Sequence, residues 1–350
     1  MRKYTNQVIS LILLVMLFVS TSYAGNKQRI GQAGGNELLI NPWARYSGFG
    51  EANIANSVGL ESVFVNVAGT AHLNKTELVF ANSNWFSGAD ISVNAFGLSQ
   101  KVGDVGVLSL TVMTMDWGEI SQTTENQPDG DGKTFHPNYT NIGISYAKEF
   151  SNSIYGGASI KIISESLSDI GATGIAFDAG IQYITGSREQ IKIGVTMKNV
   201  GPTMKMSGDG MSFRGQADPD EPIMTMEMRS SEYELPSLIK LGASYDFDLG
   251  EMHVLTLMGA FTENSFSKNQ FHSGLQYTFK DMLTIRGGYV HEDGINDDVE
   301  SSTAFTGLCA GFSFQVPLKK GGDQKFAIDY SYRDTDTFSS IHTIGVRFSL

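Results

Sequence analysis

Ile191, Ile193, Val195 and Met197 alternate with Lys192, Gly194, Thr196 and Lys198. Phe326, Ile328, Tyr330 and Tyr332 alternate in the same way with Ala327, Asp329, Ser331 and Arg333. Successive side chains of a strand point to opposite faces, so each of these segments has one apolar and one polar face. The pattern recurs through the carboxy-terminal two thirds of the chain. It predicts strands over 77–86, 89–101, 104–118, 138–149, 153–166, 173–185, 190–199, 236–248, 251–262, 270–279, 282–292, 303–316, 325–334 and 341–350. Alternation alone also fits a soluble β-sandwich. The choice between sandwich and membrane barrel rests on what surrounds the strands.

The amino terminus is the first discriminator. Arg2 and Lys3 give a positive start, Leu11 to Val19 is unbroken apolar sequence, and Ser22-Tyr23-Ala24 ends it in the small-x-small pattern of a signal-peptidase site. The apolar run is too short for a spanning helix, which needs roughly 20 residues. No later run is long enough either, so a helical membrane protein is excluded. Cys309 is the only cysteine, so no intramolecular disulfide can form. A barrel closed by its own hydrogen-bond ladder needs none.

Loop lengths are the second discriminator. Connections after even strands are mostly tight, as at Gly103-Asp104, Ser151-Asn152 and Leu249-Gly250. Those after odd strands include long ones near 119–137, 200–235 and 293–302. Short periplasmic turns alternating with long external loops are the asymmetry of single-chain outer-membrane barrels, which also have an even strand number. Trp85 and Trp117 fall at upper strand ends, where an aromatic girdle is expected. Glycine is abundant, at 39 residues, and proline scarce, at 8; glycine suits crowded barrel strands and proline does not.

The expected fold is therefore all-β: a fourteen-stranded antiparallel transmembrane outer-membrane β-barrel with an N-terminal plug. Its parts are a signal peptide over 1–24, a plug or hatch over 25–75 and the barrel over 76–350. The expected location is the outer membrane of a Gram-negative cell, with outer-membrane lipid as a partner. The formal charge of −12 and the acid-rich loops argue against nucleic acid. The predicted inward faces carry Lys161, Glu165, Asp178, Lys192, Lys198, Lys240, Asp246, Arg286, Asp329 and Arg333. Charges of mixed sign predict pairing across the lumen, because isolated buried charges are costly.

Residues 37–75 do not alternate. Small residues dominate them, as expected of a compact segment packed inside the barrel. Here the chain resembles the PorV/PorQ family, within the wider FadL-like group. The resemblance rests on Ala44-Arg45, Gly48-Phe49-Gly50-Glu51-Ala52 and Asn66-Val67-Ala68-Gly69, where Val67 replaces the usual proline. Ile142 to Lys148 and Asn199-Val200-Gly201-Pro202 are also similar. The resemblance implies a fourteen-stranded barrel with an amino-terminal plug, whose motif maps onto Asn41, Pro42, Arg45, Gly48, Gly50, Asn66 and Gly69. It further implies a component of the type IX secretion system that binds exported proteins or translocon partners through its outer loops. The alternative from the same group is a FadL-like transporter of hydrophobic small molecules.

No catalytic constellation is present. The six histidines have no metal-ligand spacing, and there is neither a Gly-x-Ser-x-Gly elbow nor a phosphate loop. The expectation is a non-enzyme without cofactor or metal. The candidate partner-binding loop, from Gly201 to Leu235, holds Met204, Met206, Met211, Met224, Met226 and Met228. Exposed methionine suits adaptable docking surfaces, while the competing reading packs these side chains on the barrel rim. Asp129-Gly130-Asp131 and Asp293 to Glu300 are acid clusters that a solvated loop explains and calcium could occupy.

Overall fold

The computed structural model describes residues 27–216, 218, 222–297, 299–319, 322, 324–336 and 338–350. The signal read over 1–24 lies outside them. Fourteen strands form one closed antiparallel barrel. They are β1 (Thr76–Trp85), β2 (Ile91–Val102), β3 (Gly106–Asp116), β4 (Asn138–Ser151), β5 (Ile154–Leu167), β6 (Ile170–Thr185), β7 (Ile191–Val200), β8 (Leu238–Asp248), β9 (His253–Asn264), β10 (Gln270–Phe279), β11 (Leu283–Glu292), β12 (Phe305–Pro317), β13 (Lys325–Thr335) and β14 (Ile341–Ser349). Each pairs with its sequence neighbours. β1 closes the ring against β14, from Glu77 opposite Ser349 to Asn84 opposite His342. Closure leaves no sheet edge, which is the condition for a sheet to exist in lipid.

The period-two pattern has the sense the sequence predicts. Outward positions are exposed apolar residues, among them Phe80, Leu110, Ile144, Ile162, Ile193, Val195, Leu241, Leu275, Ile285 and Ile344. Inward positions are small or polar and buried, such as Ser99, Ser109, Ser145, Thr196, Ser244 and Thr343. An oil-facing exterior around a polar interior is the arrangement of an outer-membrane barrel, and places the chain in the Gram-negative outer membrane. External loops carry short hairpins of their own, including Ser212–Gly215 with Met224–Glu227.

The lumen is occupied. The segment from Asn36 to Asn74 turns through a short helix, Ala44–Ser47, and 3-10 turns at Leu60–Phe64 and Val67–His72. Its residues Trp43, Phe49, Ile54, Leu60 and Val65 are fully buried. Glycines on the inner wall make the room. A Cβ on Gly180 would lie 2.0 Å from Asn66 Oδ1, and one on Gly288 would lie 2.2 Å from the Phe49 carbonyl oxygen. Strand glycine in this barrel thus marks where a second backbone comes close.

Candidate functional site

Most inward charges do pair, but with a neighbouring strand or with the segment inside the barrel rather than across the lumen. Lys161 meets Asp178 at 2.7 Å and Lys192 meets Asp246 at 2.7 Å. Lys240 pairs with Glu51 of the lumenal segment, and Lys198 donates to the Phe64 carbonyl at 2.5 Å. Six of the wall's charges, Lys161, Asp178, Lys192, Asp246, Lys240 and Lys198, therefore fasten to each other or to the segment they enclose. A second cluster lies lower. Glu61 Oε2 lies 3.6 Å from Arg347 Nε and 3.8 Å from Arg45 Nη1 as ion pairs, while Arg347 also approaches Asp329 at 3.6 Å and Glu77 at 3.7 Å. Glu77 in turn accepts the Leu60 backbone N–H at 2.6 Å. Arg286 donates to the Arg45 carbonyl at 3.0 Å. These contacts tie the segment to β1, β11 and β14, and Asp329 of β13 joins the cluster through Arg347.

Arg333 departs from the expectation. Among the described residues it forms no ion pair, and its Nε is buried without a hydrogen-bond partner. Its guanidinium carbon instead lies 3.9 Å from the centre of the Phe305 ring. The local cause is a bulge. The β12–β13 register jumps from Cys309 opposite Arg333 to Phe305 opposite Thr335, and Gly307 adopts φ 91° within it. Extra residues in one strand twist the ladder and re-aim side chains.

Above the lumenal segment the bulge faces a cavity of about 380 Å³. Its apolar wall includes Trp85, Met115, Trp117, Phe305, Leu238 and Val290. Asn36, Glu37, Leu39 and Ile40 contribute from the segment's start, and Ile295, Ser302 and Thr303 from the β11–β12 loop. At its base are Glu51, Lys198, Lys240 and His272. His272 is fixed by the Gly50 carbonyl at 2.6 Å and by Thr262 Oγ1 at 2.7 Å. Glu292 is held by Gln270 Nε2 at 2.8 Å and by Ser302 Oγ at 2.5 Å. Burial raises the Glu37 carboxyl above its ordinary range, with a smaller push from Glu165. Trp85 therefore corrects the girdle reading: it is an inward residue, 7% exposed, because it shares a face with Val79, Ala81 and Ser83. Trp117 lies just past the end of β3 and also faces this cavity.

Beneath the segment the space is polar. One cavity of about 300 Å³ is lined by Arg45, Lys192, Asp246, Arg286, Lys325 and Arg347, with threonines and glutamines between them. An adjoining one of about 520 Å³ reaches Glu77, His72 and the carboxy-terminal Leu350.

The residues expected to form the plug motif lie in the lumenal segment and hold its shape. Asn41 Oδ1 caps the Trp43 N–H at 3.1 Å, next to buried Pro42. Arg45 donates to the Val58 carbonyl at 3.2 Å. Asn66 Nδ2 donates to Ile54 and Ile181 carbonyls, both at 3.1 Å, while its Oδ1 accepts from the Ala68 N–H. Val67 opens the 3-10 turn that Asn66 caps, a first position where the backbone N–H is dispensable and a proline would also fit. Gly48, Gly50 and Gly69 sit where a Cβ would meet Ala310, Val290 and Ser57.

The six loop methionines are not brought together. Met204 is buried against Gly174, and Met206 packs on the core beneath it. Met211 and Met226 are partly exposed, and Met224 and Met228 are exposed. Rim packing claims the first two, and Phe213, Ile223, Met224 and Met228 in and beside the hairpin are exposed. Of the acid clusters, Asp298 lies outside the described residues. Among the described residues no three metal-ligating side chains converge. Sequence reasoning missed the cavity. Its lining comes from nine strands, three loops and the lumenal segment, and no one segment carries its signature.

No family profile and no curated protein matches the chain. Solved structures do match its fold. One is reported as the toluene transporter TodX of Pseudomonas putida, at 10% identity and a TM-score of 0.53, covering 88% of this chain and 98% of that one. Another is a TodX mutant described as a monoaromatic hydrocarbon channel, at 12% identity and a TM-score of 0.52, covering 86% and 98%. At such identity the likeness is one of fold alone: a closed outer-membrane β-barrel.

Proposed function

We propose that this protein carries small hydrophobic molecules across the outer membrane, capturing them first in the outer cavity, with the lumenal segment acting as a plug. The observation that carries the reading is the cavity itself: an aromatic and aliphatic wall of about 380 Å³ above a segment that fills the lumen. Concave, mostly apolar spaces with a few converging polar groups are the usual form of a small-molecule site. The fold likeness to proteins described as hydrocarbon and toluene channels supports the same reading. No catalytic role is needed. The test is uptake of labelled toluene by vesicles containing the purified protein. Uptake faster than in protein-free vesicles, and slowed by Trp117→Ala, is expected; equal rates overturn the reading.

A second reading has one observation in its favour. In and beside the hairpin of Ser212–Gly215 with Met224–Glu227, the side chains of Phe213, Ile223, Met224 and Met228 are exposed. That exposure suits the docking of exported proteins or type IX secretion partners, the role implied by the PorV/PorQ resemblance. Gentle detergent extraction followed by identification of co-purifying surface proteins tests it. Their absence from the extract removes it.

A further inference from the structure

Three cations reach the outer cavity: Lys198, Lys240 and Arg333. Lys240 is neutralised by Glu51, and Lys198 is spent on the Phe64 carbonyl. Arg333 has neither kind of partner. It lies on Phe305 with the Cys309 thiol beside it and a buried, unbonded Nε. Arg333 lines the cavity, and among the described residues no carboxylate pairs with its guanidinium, so the group can donate to an oxygen that a ligand brings. The cavity's other charges set a limit on what that ligand is. Glu37 and Glu292 also line it, and among the described residues neither has a cationic partner. The lining therefore holds three cations, counted above, against the carboxylates of Glu37, Glu51 and Glu292. An arriving carboxylate would leave the enclosed space with an excess negative charge. A neutral oxygen would not.

We propose that Arg333 is a specificity-determining residue, which selects hydrophobic molecules bearing a neutral oxygen acceptor, a carbonyl or hydroxyl, over bare hydrocarbons and over carboxylates. The apolar body lies along Trp85, Trp117 and Phe305, and the oxygen accepts from the guanidinium. This rests on the transport reading and narrows it.

The experiment uses the full chain in detergent, with quenching of tryptophan fluorescence to report three probes of one ring: acetophenone, ethylbenzene and phenylacetate. Acetophenone should bind about tenfold more tightly than ethylbenzene, the scale of one hydrogen bond to a charged donor. Phenylacetate should bind more weakly than acetophenone. Arg333→Met should erase the preference for acetophenone and leave ethylbenzene within about twofold, since the apolar wall is untouched. Arg333→Lys should keep part of the preference, because it keeps a cationic donor. It also serves if the methionine variant does not reach the heat-modifiable folded form. Ethylbenzene binding as tightly as acetophenone overturns the proposal, as does phenylacetate binding most tightly. Equal weakening of acetophenone and ethylbenzene by both substitutions also overturns it, since that marks a merely structural arginine. If no probe quenches while vesicle uptake of ethylbenzene persists, the selective site is wrong and transport stands. If both fail, the two readings fall together.

Discussion

The spaces above and below the lumenal segment are similar in size and opposite in chemistry. The upper one is walled by Trp85, Trp117, Met115 and Phe305, the lower by Arg45, Lys192, Arg286, Lys325 and Arg347 with their acids and amides. An apolar molecule gains by leaving water for the first and gains nothing in the second. The upper space is therefore suited to capture, and the lower charges to holding the segment in place. The contrast teaches that polar lumen residues in one barrel can have two unlike duties. They are told apart by whether their partners are already supplied.

The largest test of that division is Arg347→Met. It leaves Glu61, Glu77 and Asp329 with one fewer cation, and loss of one member of a buried charge cluster costs about 3–5 kcal/mol. The temperature at which the barrel loses its heat-modifiable migration should fall sharply, with ligand affinity in folded protein unchanged. A fall in affinity alone would break the comparison. Gly180→Val comes next. Its side chain would collide with Asn66, at an overpacking cost of about 1–3 kcal/mol, read by the same gel and by protease access to the lumenal segment. Trp117→Ala should do the reverse: little change in stability, and ligand binding weaker by about 0.5–1.5 kcal/mol in a fluorescence or calorimetric titration.

Glu37→Gln sharpens the upper half further. Burial raises that carboxyl, so the charged form is disfavoured in the folded state. Folding is weakened by it at neutral pH, and the penalty disappears below the ordinary carboxylate range, where both states are protonated. The variant should be more stable than the parent at neutral pH, and the gap should close in acid. The smallest effect is expected from removing 213–226, the outer part of the hairpin. Barrel stability and hydrophobic uptake should not change, and only partner recovery can. A cut beginning at Met204 is a different experiment, because that side chain is part of the core.

The strand pattern was legible because its cause is local. Alternation at Ile191 to Lys198 follows from pleat geometry and from which side meets oil, and needs no distant partner. Residues 37–75 were likewise marked by their lack of alternation. Trp85 was misread because an aromatic at a strand end fits a girdle and a lumen equally well. Parity with Val79 and Ser83 decides between them, and the register was not yet fixed. The loop methionines divided for the same kind of reason: composition grouped them, and burial separated Met204 from Met228.

By itself the sequence determined the barrel, its strand number and its two faces, since each depends on a period of two residues and on lengths set by the bilayer. Only the tertiary structure decided which charges are paired, where the space lies and that Arg333 is left with an open donor. Those properties depend on residues such as Glu51 and Lys240, or Phe305 and Arg333, which meet only when the sheet closes around the segment inside it.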